Sequence, residues 1–128
     1  MLLAVVDRRD GRNQAAAELF AGLERQYPRN VLFAVETGEA WEAAGNHDAA
    51  RAAFHNIVTR ADRNAPGYAH APRAQVWYDL GQIAVIYSDW AEALTDFQNA
   101  ERAPGAPDKY RAAAEKAAAD ARQHLSGN

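Results

Sequence analysis

The stretch "GNHDAARAAF" (Gly45 to Phe54) occurs in related form at two other places in this chain of 128 residues. "GRNQAAAELF" (Gly11 to Phe20) begins 34 residues earlier (45 − 11), and "SDWAEALTDF" (Ser88 to Phe97) begins 43 residues later (88 − 45). All three copies carry the same two apolar residues, alanine at positions 16, 50 and 93 and phenylalanine at positions 20, 54 and 97. A repeat period in this range indicates stacked helical units.

The spacing of apolar residues predicts that each copy lies on an α-helix. Alanine is abundant, and apolar residues recur three and four positions apart. A second apolar segment precedes the later copies, at residues 30–44 and 72–87, and Asp89 with Glu92 forms a capping-box pattern. Because the turns between partners are short, neighbouring helices pack antiparallel as αα-hairpins. With a last helix at about 107–124 and a short first one before Gly11, we predict an all-α chain of about seven helices.

The third copy resembles the tetratricopeptide repeat family. Trp77, Leu80 and Gly81 match the W-x2-L-G opening of that repeat, and Ala93 with Phe97 matches the A-x3-F of its second helix. The second copy carries Gly38, Trp41, Gly45, Ala50 and Phe54, with Thr37 in place of the usual leucine, and the first copy carries only the second half. The resemblance spans about residues 1–104 and implies hairpins stacked as a right-handed superhelix. It implies one domain over 1–128: a partial repeat (1–29), a repeat (30–62), an inserted loop (63–73), a repeat (74–106) and a C-terminal capping helix (107–125).

The resemblance also gives the repeated residues packing roles. The shared alanines would lie where the two helices of a hairpin approach closely, and the shared phenylalanines would fill the space between hairpins. Gly38 and Gly81 would allow the first helix of a hairpin to pack closely against its neighbour.

Composition and motifs argue against several classes of function. A net charge of −3 and a pI near 5.8 disfavour nucleic-acid binding, which needs a basic face. No apolar run approaches the roughly 20 residues of a membrane-spanning helix, and "MLLAVV" makes a poor signal peptide. There is no cysteine, no H-E-x-x-H and no phosphate-binding loop, and His47 and His55 lie two helical turns apart. We therefore predict a protein that is not an enzyme and has no cofactor and no metal.

In the tetratricopeptide family, the first helix of each hairpin lines a concave groove that binds peptides. Transferred position by position, the predicted binding residues of the groove are Val35, Glu36, Glu39, Glu42, Gln75, Tyr78, Asp79 and Gln82. The same transfer also places at the groove Leu32, Val85 and Ile86, Lys109 and Lys116 of the capping helix, and Val5, Arg8 and Arg9 of the first copy. The acidic and partly apolar centre of the groove favours a basic or amphipathic protein segment as the partner. A solvated acidic helix surface explains the same carboxylates equally well.

Two further segments leave alternatives open. The inserted loop, with Tyr68 and His70, is either a binding loop or a tolerated insertion without a role. The first helix, before the turn at Gly11, would have only about eight residues, so either the chain was cut from a longer array or Leu2, Leu3, Val5 and Val6 lie partly exposed. This predicts a homodimer through the N-terminal hairpin or a fragment of a longer array. The predicted function is a protein–protein interaction module, and the alternatives are a structural or oligomerisation segment of a larger repeat protein and, more remotely, a small enzyme or metal protein.

Overall fold

A computed structural model describes residues 12–127, and this part of the chain contains six α-helices and no strand. The helices are α1 (Arg12–Gln26), α2 (Val31–Ala43), α3 (His47–Asp62), α4 (Arg73–Ile86), α5 (Trp90–Arg102) and α6 (Asp108–Ser126). The predicted all-α class is confirmed. The predicted short helix before Gly11, and Leu2 and Leu3, lie outside the described residues. Internal contacts divide the chain into two compact units, Met1–Ala71 and Pro72–Asn128.

The first unit packs its helices in sequence, α1 against α2 and α2 against α3. Each of these helices contributes buried residues, and α3 contributes the large side chains of Phe54 and Ile57, which are at most 1% exposed. The α1 helix adds the buried Ala16 and Ala17, whereas Phe20, which the repeat pattern places in the core, is half-buried. The core of this unit therefore centres on the hairpin formed by α2 and α3.

The second unit packs three helices together. The α5 helix contacts both α4 and α6, and α4 also contacts α6. A buried cluster joins them, made of Ala84, Ala93, Phe97, Ala118 and Ala121, with Tyr78, Val85 and Trp90 packed around it. Small side chains on α6 let this helix approach α5 closely.

A glycine on one helix and a phenylalanine on the next make the same contact in both hairpins. A Cβ atom added to Gly38 would lie 2.6 Å from Phe54 Cε1, and one added to Gly81 would overlap the ring of Phe97. Both rings are 1% exposed. Each ring therefore packs against the other helix of its own hairpin.

The turns inside the two hairpins also share one backbone geometry. Gly45 has φ of 80° and Ser88 has φ of 57°, so both occupy the left-handed region that ends many helices. In each turn the following N–H donates to the carbonyl five residues earlier, at 3.0 Å in the first hairpin and 2.8 Å in the second. Asn46 and Asp89 then cap the next helix, and the Asp89 carboxylate accepts from the Glu92 N–H at 3.4 Å, as in a capping box.

The segment predicted as an inserted loop is packed into the first unit. Tyr68 is 1% exposed, its ring lies 5.7 Å below the guanidinium of Arg60, and its hydroxyl accepts from Arg60 Nη1 at 3.4 Å. A Cβ atom at Gly67 would overlap the carbonyl oxygen of Arg29, so the loop backbone lies directly against the turn between α1 and α2. His70 is exposed. Tyr68 is thus a core residue, and its side chain is not part of the exposed surface of the loop.

Candidate functional site

The first unit contains four of the residues predicted to line a groove, and they differ in exposure. Val35 is 7% exposed, so its side chain contributes mainly to the core. Glu36 is exposed, while Glu39 and Glu42 are half-buried. Glu42 Oε1 lies 3.0 Å from Nδ1 of His47, so this carboxylate already has a partner within the unit. Among these four residues, Glu36 presents the most accessible negative charge.

The second unit brings two of its four predicted binding residues together. Tyr78 and Gln82 lie one helical turn apart on α4 and line the same cavity of about 310 Å³. Gln75 and Asp79 are half-buried and stand outside the lining of this cavity. We refer to it as the α4–α6 cavity.

The α4–α6 cavity is bounded by the three helices of the second unit. Its volume falls at the lower end of the range of about 300–1,000 Å³ that is usual for ligand sites. Its lining comprises Tyr78, Gln82, Val85, Trp90, Phe97, Ala113, Lys116, Ala117, Asp120, Ala121 and His124. Lys116 was assigned to the groove from the sequence as well.

Aromatic rings form the wall of the α4–α6 cavity on the side of α4 and α5. The ring centroid of Tyr78 lies 5.5 Å from that of Phe97 and 6.1 Å from that of Tyr110, both in tilted or edge-on geometry. Trp90 stacks on His124 with centroids 3.8 Å apart and planes inclined by 11°. Because rings held by several neighbours have few accessible rotamers, the side chains of this wall are fixed in position.

The α6 wall of the cavity is made of small and polar side chains. Its apolar part consists of alanines spaced four residues apart, at positions 113, 117 and 121. Lys116 and Asp120 are exposed and carry opposite charges. Nδ1 of His124 donates to the carbonyl of Asp120 at 3.0 Å, which holds the imidazole against Trp90. Methyl groups opposite aromatic rings leave the cavity open, and the ionic groups lie at its rim.

A second cavity, of about 590 Å³, lies at the turn between α1 and α2. It is lined by residues 26–31 and Gly67. Tyr27 is 51% exposed there, and its ring lies 5.8 Å from that of Phe33. This cavity is formed largely by an exposed turn, and its polar lining side chains are Gln26, Arg29 and Asn30. Its lining side chains are held less firmly in position than those of the α4–α6 cavity, which belong to three packed helices.

Most contributors of α5 and α6 to the α4–α6 cavity were not predicted from the sequence, among them Trp90, Ala117 and His124. Trp90 was interpreted as part of the packing stripe of α5, and neither Ala117 nor His124 was assigned to a site. The spacing of the α6 alanines was a usable signal, because a methyl stripe on one helix facing a ring on another leaves unfilled volume. The stack between Trp90 and His124 joins residues far apart in sequence and has no local signal.

Comparison with known proteins gives no family for this chain: no protein-family model and no curated protein sequence matches it. Within residues 12–127, no cluster of three or more histidine, aspartate or glutamate side chains is placed to hold a metal ion. No helix in this part of the chain has the length and apolarity needed to cross a membrane.

Proposed function

We propose that the chain is a non-catalytic protein–protein interaction module of the tetratricopeptide-like class, whose hairpins stack as a right-handed superhelix. The observation that carries this proposal is the α4–α6 cavity. It lies where Tyr78 and Gln82, two residues chosen from the family resemblance, come together with Lys116 from the last helix. Support for the repeat comes from the two hairpins, which share a glycine–phenylalanine contact and a left-handed turn.

The chemistry of the two units favours an amphipathic polypeptide as the partner. The second unit offers aromatic rings and methyl groups, which bind apolar side chains through area burial. The first unit offers the exposed carboxylate of Glu36, which favours a basic side chain. Within each unit, packed helices hold these side chains in place, which lowers the entropic cost of ordering them on binding.

The test is selection from a displayed library of random peptides on the purified chain, followed by measurement of the dissociation constants of the enriched peptides. Gln82 is exposed and lines the cavity, so Gln82→Arg places a bulky charge at its mouth. We expect Gln82→Arg to raise the dissociation constants of the enriched peptides by about tenfold or more, a loss of about 1.4 kcal/mol of binding free energy. Thr95→Arg, an equally exposed change on α5, is the matched control and should leave binding unchanged.

Failure of the library to yield a binder, or equal binding by Gln82→Arg and the unmodified chain, would contradict the proposal. The alternative function, a structural or oligomerisation segment, is favoured by apolar side chains at the surface, such as Leu32 at 64% and Ile86 at 52% exposure. Light scattering that shows a stable oligomer broken by Leu32→Glu or Ile86→Glu would support this alternative.

A further inference from the structure

We propose that the α4–α6 cavity binds one uncharged aromatic side chain of the partner polypeptide. This inference rests on the proposed function, because it names the part of the partner that the second unit recognises. Three observations support it: a difference between the two hairpins, the side chains that line the cavity and the charges at its rim.

The two hairpins share the features that their packing requires and differ at the cavity. With a register offset of 43 residues (81 − 38), the glycine, the phenylalanine, the buried alanine, the left-handed turn and the helix cap all coincide. At the same offset, Tyr78, Gln82, Val85 and Trp90 of the second unit correspond to Val35, Glu39, Glu42 and His47 of the first. Since the first hairpin carries valine where the second has Tyr78, and the smaller imidazole of histidine where the second has Trp90, these two large rings are not required by the hairpin itself.

The lining of the cavity suits an aromatic guest. The α4 and α5 helices contribute aromatic rings and α6 contributes the methyl groups of its alanines, around a volume of about 310 Å³. A guest ring would make tilted contacts with Tyr78, of the kind that Tyr78 already makes with Phe97 and Tyr110. An aliphatic side chain would gain burial of apolar area but none of these ring contacts.

The charges at the rim disfavour an ionic guest. Lys116 and Asp120 lie on the same wall of the cavity with opposite charges. A cationic or an anionic side chain would therefore meet one attractive and one repulsive group and gain little net Coulomb energy, while it would lose hydration on entering. An uncharged ring avoids this cost.

The first test is an NMR titration of the whole chain, isotopically labelled, with four small probes that mimic single side chains. The probes are the N-acetyl amides of tryptophan, phenylalanine, leucine and lysine. We expect the two aromatic amides to shift the backbone signals of Gln82 and Ala117 and to bind about three- to tenfold more tightly than the leucine amide. The lysine amide should bind most weakly of the four.

Filling the cavity from α6 provides the matched pair of variants. Ala117→Leu adds side-chain volume inside the cavity, and Ala112→Leu adds the same volume on the exposed face of the same helix. Ala117→Leu should raise the dissociation constants of the aromatic amides by about tenfold or more, and Ala112→Leu should leave these constants unchanged. If Ala117→Leu fails to fold, Val85→Glu replaces it, since the first hairpin carries glutamate at the corresponding position.

Equal binding of the lysine and tryptophan amides, or aromatic binding that survives both Ala117→Leu and Val85→Glu, would overturn the inference. Peptide selection separates its failure from that of the proposed function. Enriched peptides that depend on Gln82 but share no aromatic residue would refute the aromatic anchor and leave the interaction module standing. Aromatic amides that bind in the cavity, with no peptide enriched, would refute both, because the guest would then be a free aromatic compound.

Discussion

Replacing Gly38 with alanine tests the glycine–phenylalanine contact on which both hairpins depend. The added methyl carbon would lie 2.6 Å from Phe54 Cε1 and 2.9 Å from its Cδ1 and Cζ atoms. Carbon atoms pack best at about 3.5–4.0 Å, so the methyl group would stand about 0.9 Å too close. Phe54 is 1% exposed and has no solvent into which its ring could turn. The ring or the α2 backbone must therefore move.

Two opposing contributions set the size of the effect. Overpacking a well-filled core costs about 1–3 kcal/mol. Exchanging glycine for alanine inside a helix stabilises the helix by about 1 kcal/mol. We therefore expect Gly38→Ala to lower the free energy of unfolding by about 1 kcal/mol.

Gly22→Ala in α1 is the matched control, because it has the same helix-propensity gain without the clash. The nearest atom that its new Cβ would meet is Arg25 Nη2, at an ordinary contact distance of 3.8 Å. We expect this variant to be more stable than the unmodified chain by about 0.5–1 kcal/mol. The difference between the two variants isolates the steric cost.

Urea unfolding followed by far-ultraviolet circular dichroism measures both variants. A loss of about 1 kcal/mol lowers the midpoint by about 0.5 M for a domain of this size. In a Phe54→Leu background the penalty of Gly38→Ala should shrink, since the ring that it meets is gone. The reasoning is refuted if Gly38→Ala stabilises the chain as much as Gly22→Ala does, or if its penalty is the same with leucine at position 54.

Two further predictions concern the loop and the second turn. Tyr68→Ala should lower the free energy of unfolding by about 3–5 kcal/mol, because it empties a fully buried site. Tyr68→Phe should lower it by only about 0.5–1.5 kcal/mol, because it removes one hydrogen bond from Arg60. His70→Ala, at an exposed position of the same loop, should leave the melting temperature unchanged, and an equal loss at both positions would contradict a core role for Tyr68. Asp89→Ala should cost about 0.5–2 kcal/mol in thermal unfolding because it removes the cap of α5; an unchanged melting temperature would show that this cap contributes nothing.

The helices were predictable from the sequence because their signals are local. The apolar spacing predicted segments 30–44 and 72–87, and the structure has helices at Val31–Ala43 and Arg73–Ile86. The cap at Asp89 was predictable for the same reason, since its partner Glu92 is three residues away. The turn at Ser88 reproduces the glycine turn at Gly45 through backbone geometry that the residue type alone does not reveal.

The loop and the site were less predictable because they depend on contacts between distant residues. Tyr68 lies in a segment rich in proline and glycine, which is typical of exposed loops, and its burial follows from contacts of the loop with α3 and with the turn after α1. Half of the predicted binding residues of the second unit line its cavity, but Trp90 looked like a core residue. The resemblance could place residues on a helix face, and it could not show where side chains of three helices leave a space.

The glycine–phenylalanine contact makes two distant positions a single unit of sequence variation. Position 38 can gain a side chain only if the side chain at position 54 becomes smaller. Positions 81 and 97 are coupled in the same way. Among relatives of this chain, substitutions at the two members of a pair should therefore arise together. Such paired changes would reveal further hairpins of this kind even where the surrounding repeat pattern has become too weak to recognise.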